Sequence, residues 1–185
     1  MRKLILQMQT SIDAYVAGPE GEMDWMEWNW DDSLKNFVTD LTERIDTILL
    51  GRKLAEGFIP HWQAVAENHE DPENSSGLFF HQTPKIVFSK TVEKHSWAHT
   101  EICKEELQTA VNAIKKSPGK DIIVYGGAEL VANLIAENLI DEYYLFVNPT
   151  AIGNGLKIFQ DNLKLTLVES TAFECGIVVN RYRPR

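Results

Sequence analysis

Residues 121–130 read Asp-Ile-Ile-Val-Tyr-Gly-Gly-Ala-Glu-Leu: an apolar run of strand length, two glycines, then the opening of a helix. Such a turn suits an anion. Gly126 and Gly127 have no side chains, so a ligand can approach the backbone. The first N–H groups of the following helix point at whatever lies before it. A pyrophosphate fits that description, with Ala128, Glu129 and Leu130 supplying the helical backbone. The segment is not the Gly-x-Gly-x-x-Gly fingerprint of a Rossmann unit, and a plain tight connection could use the same residues. Asp46-Thr-Ile-Leu-Leu-Gly-Arg-Lys53 repeats the arrangement, a strand running into Gly51 with two cations just beyond it. Arg52 could grip a phosphate through two parallel hydrogen bonds, with Lys53 beside it; both could equally be solvated residues at a helix start. A third strand end, Phe88-Ser89-Lys90, offers a hydroxyl and another positive charge. Ligands of open α/β sheets collect beyond the carboxyl ends of the strands. Three strand ends with matching chemistry therefore say more together than any one alone.

Candidates for proton chemistry are fewer. Asp31 and Asp32 stand just before an apolar helical face made by Leu34, Phe37, Val38, Leu41 and Ile45. Either carboxyl could deliver a proton or anchor a substrate if burial raised its pKa; either could instead cap the helix. Trp25, Trp28 and Trp30 could stack on a flat heterocycle, or form a hydrophobic lid or subunit contact. The five histidines have no triad context. Cys103 and Cys175 lack a CxxC partner or a nearby histidine, so no metal site is expected, and two isolated thiols suit a reducing compartment.

These groups need a scaffold, and the hydrophobic pattern supplies one. Strands are expected over Lys3–Met8, Thr47–Leu50, Pro84–Ser89, Trp97–Ile102, Asp121–Tyr125 and Glu142–Asn148. Helices fit the Asp31–Ile45 stretch, Lys104–Lys116 and Glu129 to Glu137. Residues 57–80, broken by Gly57, Pro60, Pro72 and Gly77, read as an irregular surface excursion with some helix. Lys164–Glu174 and Gly176–Tyr182 alternate like an antiparallel hairpin. The sum is an α/β fold of three layers, helix on sheet on helix, with a mixed, mostly parallel sheet closing in an antiparallel C-terminal hairpin. The 185 residues suit a single domain, 1–185, and 44% hydrophobic content suits a packed core. A net charge of -9 argues against a nucleic-acid partner. The amino-terminal apolar run is too short and too soon polar for a signal peptide or membrane span, so a cytoplasmic location without membrane contact is expected.

The segment Met8-Gln-Thr-Ser-Ile-Asp-Ala-Tyr-Val-Ala-Gly18, followed by Trp25, then the Leu-Gly-Arg turn, the strand-Ser turn and the Gly-Gly helix, appear in a telling order. Asn138-Leu-Ile-Asp-Glu-Tyr-Tyr-Leu145 and Pro149-Thr-Ala-Ile-Gly-Asn-Gly-Leu156 continue it. From about residue 3 to 182 the chain resembles the dihydrofolate reductase-like family, and within it the riboflavin-biosynthesis reductases of RibD C-terminal type. The resemblance implies NADPH lying across the carboxyl ends of the central strands. It places Gly51, Arg52, Lys53 and Leu54 at the phosphates, Ser89 and Lys90 near the adenosine side, and Gly126 to Leu130 around the pyrophosphate. Thr10 and Ala17 would meet the nicotinamide; Asp13 and Trp25 would face a small-molecule substrate. The implied activity is reduction of 5-amino-6-(5-phosphoribosylamino)uracil or a related heterocycle, with a pterin-type reductase or a non-catalytic nucleotide-binding module as alternatives. A homodimer is implied as well. Where the family pattern carries glycine, this chain has Ala14, and its acidic residue at the first helix falls near Ser33, with Asp31 and Asp32 alongside.

Overall fold

In the computed structural model, which describes residues 1–185, thirteen elements follow one another. They are β1 (Leu4–Thr10), α1 (Asp32–Glu43), β2 (Ile45–Gly51), α2 (Arg52–Glu67), α3 (Asn74–Gln82), β3 (Lys85–Phe88), β4 (Thr100–Cys103), α4 (Leu107–Lys116), β5 (Asp121–Val124), α5 (Ala128–Ala136), β6 (Glu142–Val147), β7 (Leu165–Ala172) and β8 (Val178–Pro184). The strands form one sheet in the order β4-β3-β2-β5-β1-β6-β8-β7. Pairing is parallel from β4 through β6 and antiparallel at β6–β8 and β8–β7.

The central strands are aliphatic on both sides because both faces are covered. Leu4, Leu6, Ile122 and Val124 enter one core, closed by Val111 of α4 and by Leu130, Val131 and Leu134 of α5. Ile5, Ile48 and Ile123 enter the other, closed by Leu34 of α1, Ile59 of α2 and Phe80 of α3. The three layers and the terminal hairpin agree with the sequence pattern. No helix is long and apolar enough to cross a membrane.

Two expectations need correction. Residues 57–80 are largely helical: α2 runs for 16 residues straight through Gly57 and Pro60. Proline removes one helical hydrogen bond, yet Ile59 is buried and Phe58 and Trp62 both pack on Phe80, at 5.2 and 4.4 Å between ring centroids. Packing overrides the local breakers. The fourth strand is also shorter than its pattern, beginning at Thr100 instead of Trp97.

The amino ends of the strands are closed by ion pairs. Glu142 is 5% exposed and binds Lys3 at 2.6 Å and Arg181 at 3.0 Å. Arg44 meets Asp121 at 2.8 Å, Lys115 meets Asp141 at 2.6 Å, and Arg2 pairs with Asp46.

Candidate functional site

At the carboxyl edge, β2 and β5 lie side by side and their connections part. From β2, α2 and α3 lead outward to β3 on one face; from β5, α5 leads past β1 to β6 on the other. A crevice at such a divergence is where open α/β sheets bind ligands. Gly51 N–H donates to Gly126 C=O at 3.2 Å, locking the two strand ends together. Gly126 has φ +147°, a backbone conformation that favours glycine.

Gly51 and Gly127 are different. A Cβ built on Gly51 would lie 3.5 Å from Gly127 Cα, and one on Gly127 would lie 3.7 Å from Gly51 Cα. Both are ordinary contacts, and neither residue has a left-handed φ. The protein's own packing thus does not require glycine at these two facing positions, and their bareness leaves backbone open to something else. Both α2 and α5 begin here without a side-chain cap, and the first hydrogen bond of α5 runs from Val131 N–H to Gly127 C=O at 3.0 Å. The N–H groups before Val131 are those that a helix leaves for an outside partner. In the ladder Gly51 pairs with Phe88, so Ser89 stands next along the same edge. Arg52, Ser89 and Gly127 are therefore brought together along β3, β2 and β5.

The side chains along this edge are unevenly free. Arg52 forms an i,i+4 pair with Glu56 at 2.6 Å, with 38% of its side chain exposed; such a pair is weakly held and easily exchanged. Lys53 and Lys90 are exposed and take part in none of the seven ion pairs. Ser89 Oγ accepts from Thr91 N–H at 3.2 Å and Val92 N–H at 3.1 Å, which shapes its turn. Leu54 packs over Gly126, its Cδ2 only 3.1 Å from where a Cβ would be. Leu130 belongs to the core and Ala128 is half-buried, so both offer backbone. Glu129 is exposed in the first turn of α5.

Thr10 ends β1 and is buried, its C=O accepting Asn148 N–H at 2.8 Å. Ala17 is held by an antiparallel bridge to Leu156. Asp13 is not a free substrate anchor: its carboxylate accepts Ser11 O–H at 2.7 Å, Ile152 N–H at 3.2 Å and Gly153 N–H at 2.7 Å. These bonds, that from Ser11 foremost, hold its pKa below the usual value. The residue ties the first loop to the 149–156 segment. Ala14, in that loop, takes φ +65°, the left-handed region where the family pattern has glycine.

The first of the two candidate acids is corrected in the same way. Asp31 caps α1, accepting Leu34 N–H at 3.0 Å, Ser33 O–H, and Cys175 N–H at 3.0 Å from the C-terminal hairpin. The Ser33 bond first, then that from Cys175, pulls its carboxyl far below the ordinary range. It is therefore a carboxylate near neutrality, not a proton source. Asp32 is exposed in the first turn, where a carboxylate favours the helix dipole. The tryptophans separate: Trp30 stacks on Phe146 at 6.2 Å, Trp28 is 64% exposed, and the half-buried Trp25 donates its indole N–H to Glu22 C=O at 3.2 Å.

Asn148 was not singled out from sequence. It is fully buried, and its side chain donates to Gln9 Oε1 at 2.8 Å and accepts Glu27 N–H at 2.8 Å. It thereby fastens the tryptophan loop to the end of β6. The only sequence signal was an amide at the close of an apolar strand. A cavity of about 550 Å³ lies elsewhere, among Arg2, Lys85, Trp97 and His99 at the amino edge. Its lysine is already engaged, donating to His81 C=O at 2.9 Å and Thr83 C=O at 2.7 Å.

A doubly covered, mostly parallel eight-stranded sheet with this closing hairpin is a dihydrofolate reductase-like architecture. More narrowly, the chain belongs to the RibD C-terminal domain family, which it matches over residues 2–179. YyaP of Bacillus subtilis (strain 168), an uncharacterized protein, is 33% identical over 182 residues, covering 96% of this chain and 92% of its own. YwjB of the same organism, also uncharacterized, is 26% identical over 161 residues, 86% of this chain and 84% of its own. Among solved structures, the diaminohydroxyphosphoribosylaminopyrimidine deaminase/5-amino-6-(5-phosphoribosylamino)uracil reductase of Thermotoga maritima superposes with a TM-score of 0.70 at 17% identity. The match takes in all of this chain and 57% of that longer protein. A pyrimidine reductase-like protein of Corynebacterium diphtheriae gives 0.64 at 14% identity, covering 100% of this chain and 92% of its own. At these identities the structural likeness is one of fold.

Proposed function

We propose that this protein is an NADPH-dependent reductase of a small heterocycle, most like 5-amino-6-(5-phosphoribosylamino)uracil. One observation carries the reading: Gly51 and Gly127 face each other at a switch point, bare although the packing around them leaves room for a Cβ. A dinucleotide's pyrophosphate explains that bareness, because phosphate oxygens could reach both helix starts where a Cβ would stand in the way. Arg52, Lys53 and Lys90 would bring positive charge, against the opposing charge of Glu129. Ser89 would contribute its hydroxyl proton, and Gly126 to Leu130 backbone. Thr10 and Ala17 would frame the reduced ring.

When bound, NADPH supplies the hydride; what the chain adds is position, since transfer demands close approach. Asn148 and Asp13 hold the two loops that would cover the reacting ring. Asp31 does not furnish the accompanying proton, for the reason given above. Membership in the RibD C-terminal domain family, and a fold shared with a protein named as a 5-amino-6-(5-phosphoribosylamino)uracil reductase, support reduction as the chemistry.

The test is direct. At about 100 times its dissociation constant, NADPH should stabilise the fold by about 2.7 kcal/mol, read as a rise in melting temperature. Absorbance of the reduced nicotinamide should then fall with one of a panel of pyrimidines and pterins. A melting shift without oxidation would favour a binding module, and no shift at all would end the cofactor reading. The same reading includes a second copy of the chain on edge strand β7, where Leu167 and Val168 are 53% and 46% exposed. Sedimentation at micromolar concentration checks it, a monomer refuting the dimer.

A further inference from the structure

The deep floor beside the glycine edge holds an oddity in polar accounting. Gln7 Oε1 and the Tyr125 hydroxyl are both buried and neither has a hydrogen-bond partner. Such groups are costly to leave unmade, and natural proteins rarely keep them without a use. Only two other side-chain atoms share the condition, Glu137 Oε2 and Arg181 Nε, and each belongs to a charged group with further polar atoms.

The two orphans are also neighbours. β1 and β5 run parallel with Leu6 opposite Val124, so the next step along each strand places Gln7 beside Tyr125. Side chains alternate in strands, and Ile5 and Ile123, two residues earlier, both enter the core under α1 and α2. Gln7 and Tyr125 thus share that face, one step before Gly126. Gln7 is 7% exposed and pairs across the sheet with Tyr144. The Tyr125 ring stacks on Phe58 at 5.9 Å and meets Phe80 edge-on at 5.3 Å. The rings around Tyr125 are aromatic and uncharged, and the charges of Glu142 and Arg181 lie beyond Tyr144, whose hydroxyl donates to Glu142 at 3.2 Å. Burial pushes the Tyr125 hydroxyl pKa upward, so it keeps its proton.

We propose that Gln7 and Tyr125 form a two-point slot that reads the edge of a neutral, flat lactam, Tyr125 O–H donating to the ring C=O and Gln7 Oε1 accepting from the adjacent ring N–H. The proposal deepens the reductase reading and rests on it: the slot adjoins the glycine edge assigned to the cofactor, and the lactam is the substrate's own ring. Neither group carries a charge, so an ionised ligand edge would be buried without compensation. Phe58 and the neighbouring aromatic side chains supply flat apolar surface for the ring.

Lumazine, a pteridine with two N–H/C=O edges, and its 1,3-dimethyl derivative, which has lost both N–H groups, separate the possibilities. Binding is followed by calorimetry without cofactor, so a failure of the NADPH reading does not affect this measurement. Wild-type protein is expected to bind lumazine more tightly than the dimethyl compound by about tenfold or more. Gln7→Leu and Tyr125→Phe should each erase most of that preference. Both should leave NADPH affinity unchanged and the melting temperature equal or higher, because each removes an unpaired polar group. Failure of wild-type protein to bind lumazine, equal binding of the two compounds, or an undiminished preference in both variants overturns the proposal. So does a drop of several degrees in melting temperature for both variants, which would mean that the groups serve the fold. Loss of NADPH affinity with lumazine binding intact overturns it too, reassigning the slot to the cofactor.

Discussion

At the amino ends of the strands, Glu142 is buried against Lys3 and Arg181, and Arg44, Asp121, Lys115 and Asp141 are matched in turn. At the carboxyl ends the same sheet presents bare glycine backbone, uncapped helix starts and two unpaired lysines. Parallel strands explain the division, since every β-to-α connection leaves from one end and every return enters at the other. The end that closes on itself can hold the fold together; the end left incomplete is where a ligand can finish the set. Cavity volume alone would mislead, because a cavity of about 550 Å³ lies at the closed end.

The largest effect should separate the two ends. Glu142→Ala removes a buried carboxylate from among three cations and should cost about 3 kcal/mol, measured by urea unfolding, while NADPH affinity stays unchanged. A matching loss of affinity would break the contrast. The same pair tests pH. Burial pushes the Glu142 carboxyl up, but the Lys3 hydrogen bond and the charges of Arg181 and Arg44 outweigh it and hold its pKa below the usual value. A lowered folded pKa gives stability that is present above the unfolded value and lost as pH falls. The gap between wild type and Glu142→Ala should therefore narrow from about pH 5 downward.

At the open end the effects should fall on binding. Gly127→Val should weaken NADPH by about two orders of magnitude, about 2.7 kcal/mol, with the circular dichroism spectrum retained; unchanged affinity would remove the pyrophosphate from this turn. Arg52→Ala should weaken NADPH by about tenfold, and more than NADH if the guanidinium meets the 2′-phosphate. Equal losses would move it to the pyrophosphate. Its stability should hardly change, since the pair with Glu56 is exposed. The smallest change is a gain: Ala14→Gly should add about 0.5–1 kcal/mol by relieving the left-handed backbone, checked by thermal melting.

The carboxyl edge was legible because its chemistry is local. Leu50-Gly51-Arg52 and Tyr125-Gly126-Gly127 each announce a strand, a bare turn and a helix within a few residues. The helix α2 was not, because Gly57 and Pro60 outweigh its weak local signal and only contact with Phe80 reveals the compensation. Asp31 had two open readings, cap or acid. The decision came from the Ser33 hydroxyl and, 144 positions away in sequence, the Cys175 N–H, which together hold the carboxylate ionised. Asp13 was settled likewise by Ile152 and Gly153.

Hydrophobic period and turn residues, which act between near neighbours, were enough to determine the three layers, the hairpin and the strand ends that could meet a phosphate. Folding alone decided which polar groups are satisfied. Hydrogen bonds and ion pairs form between residues as far apart as Lys3 and Glu142, or fail to form at Gln7 and Tyr125. Whether a side chain has a partner depends on positions and directions that no local pattern contains. That matching separates a structural aspartate from a catalytic one, and a closed end of the sheet from an open one.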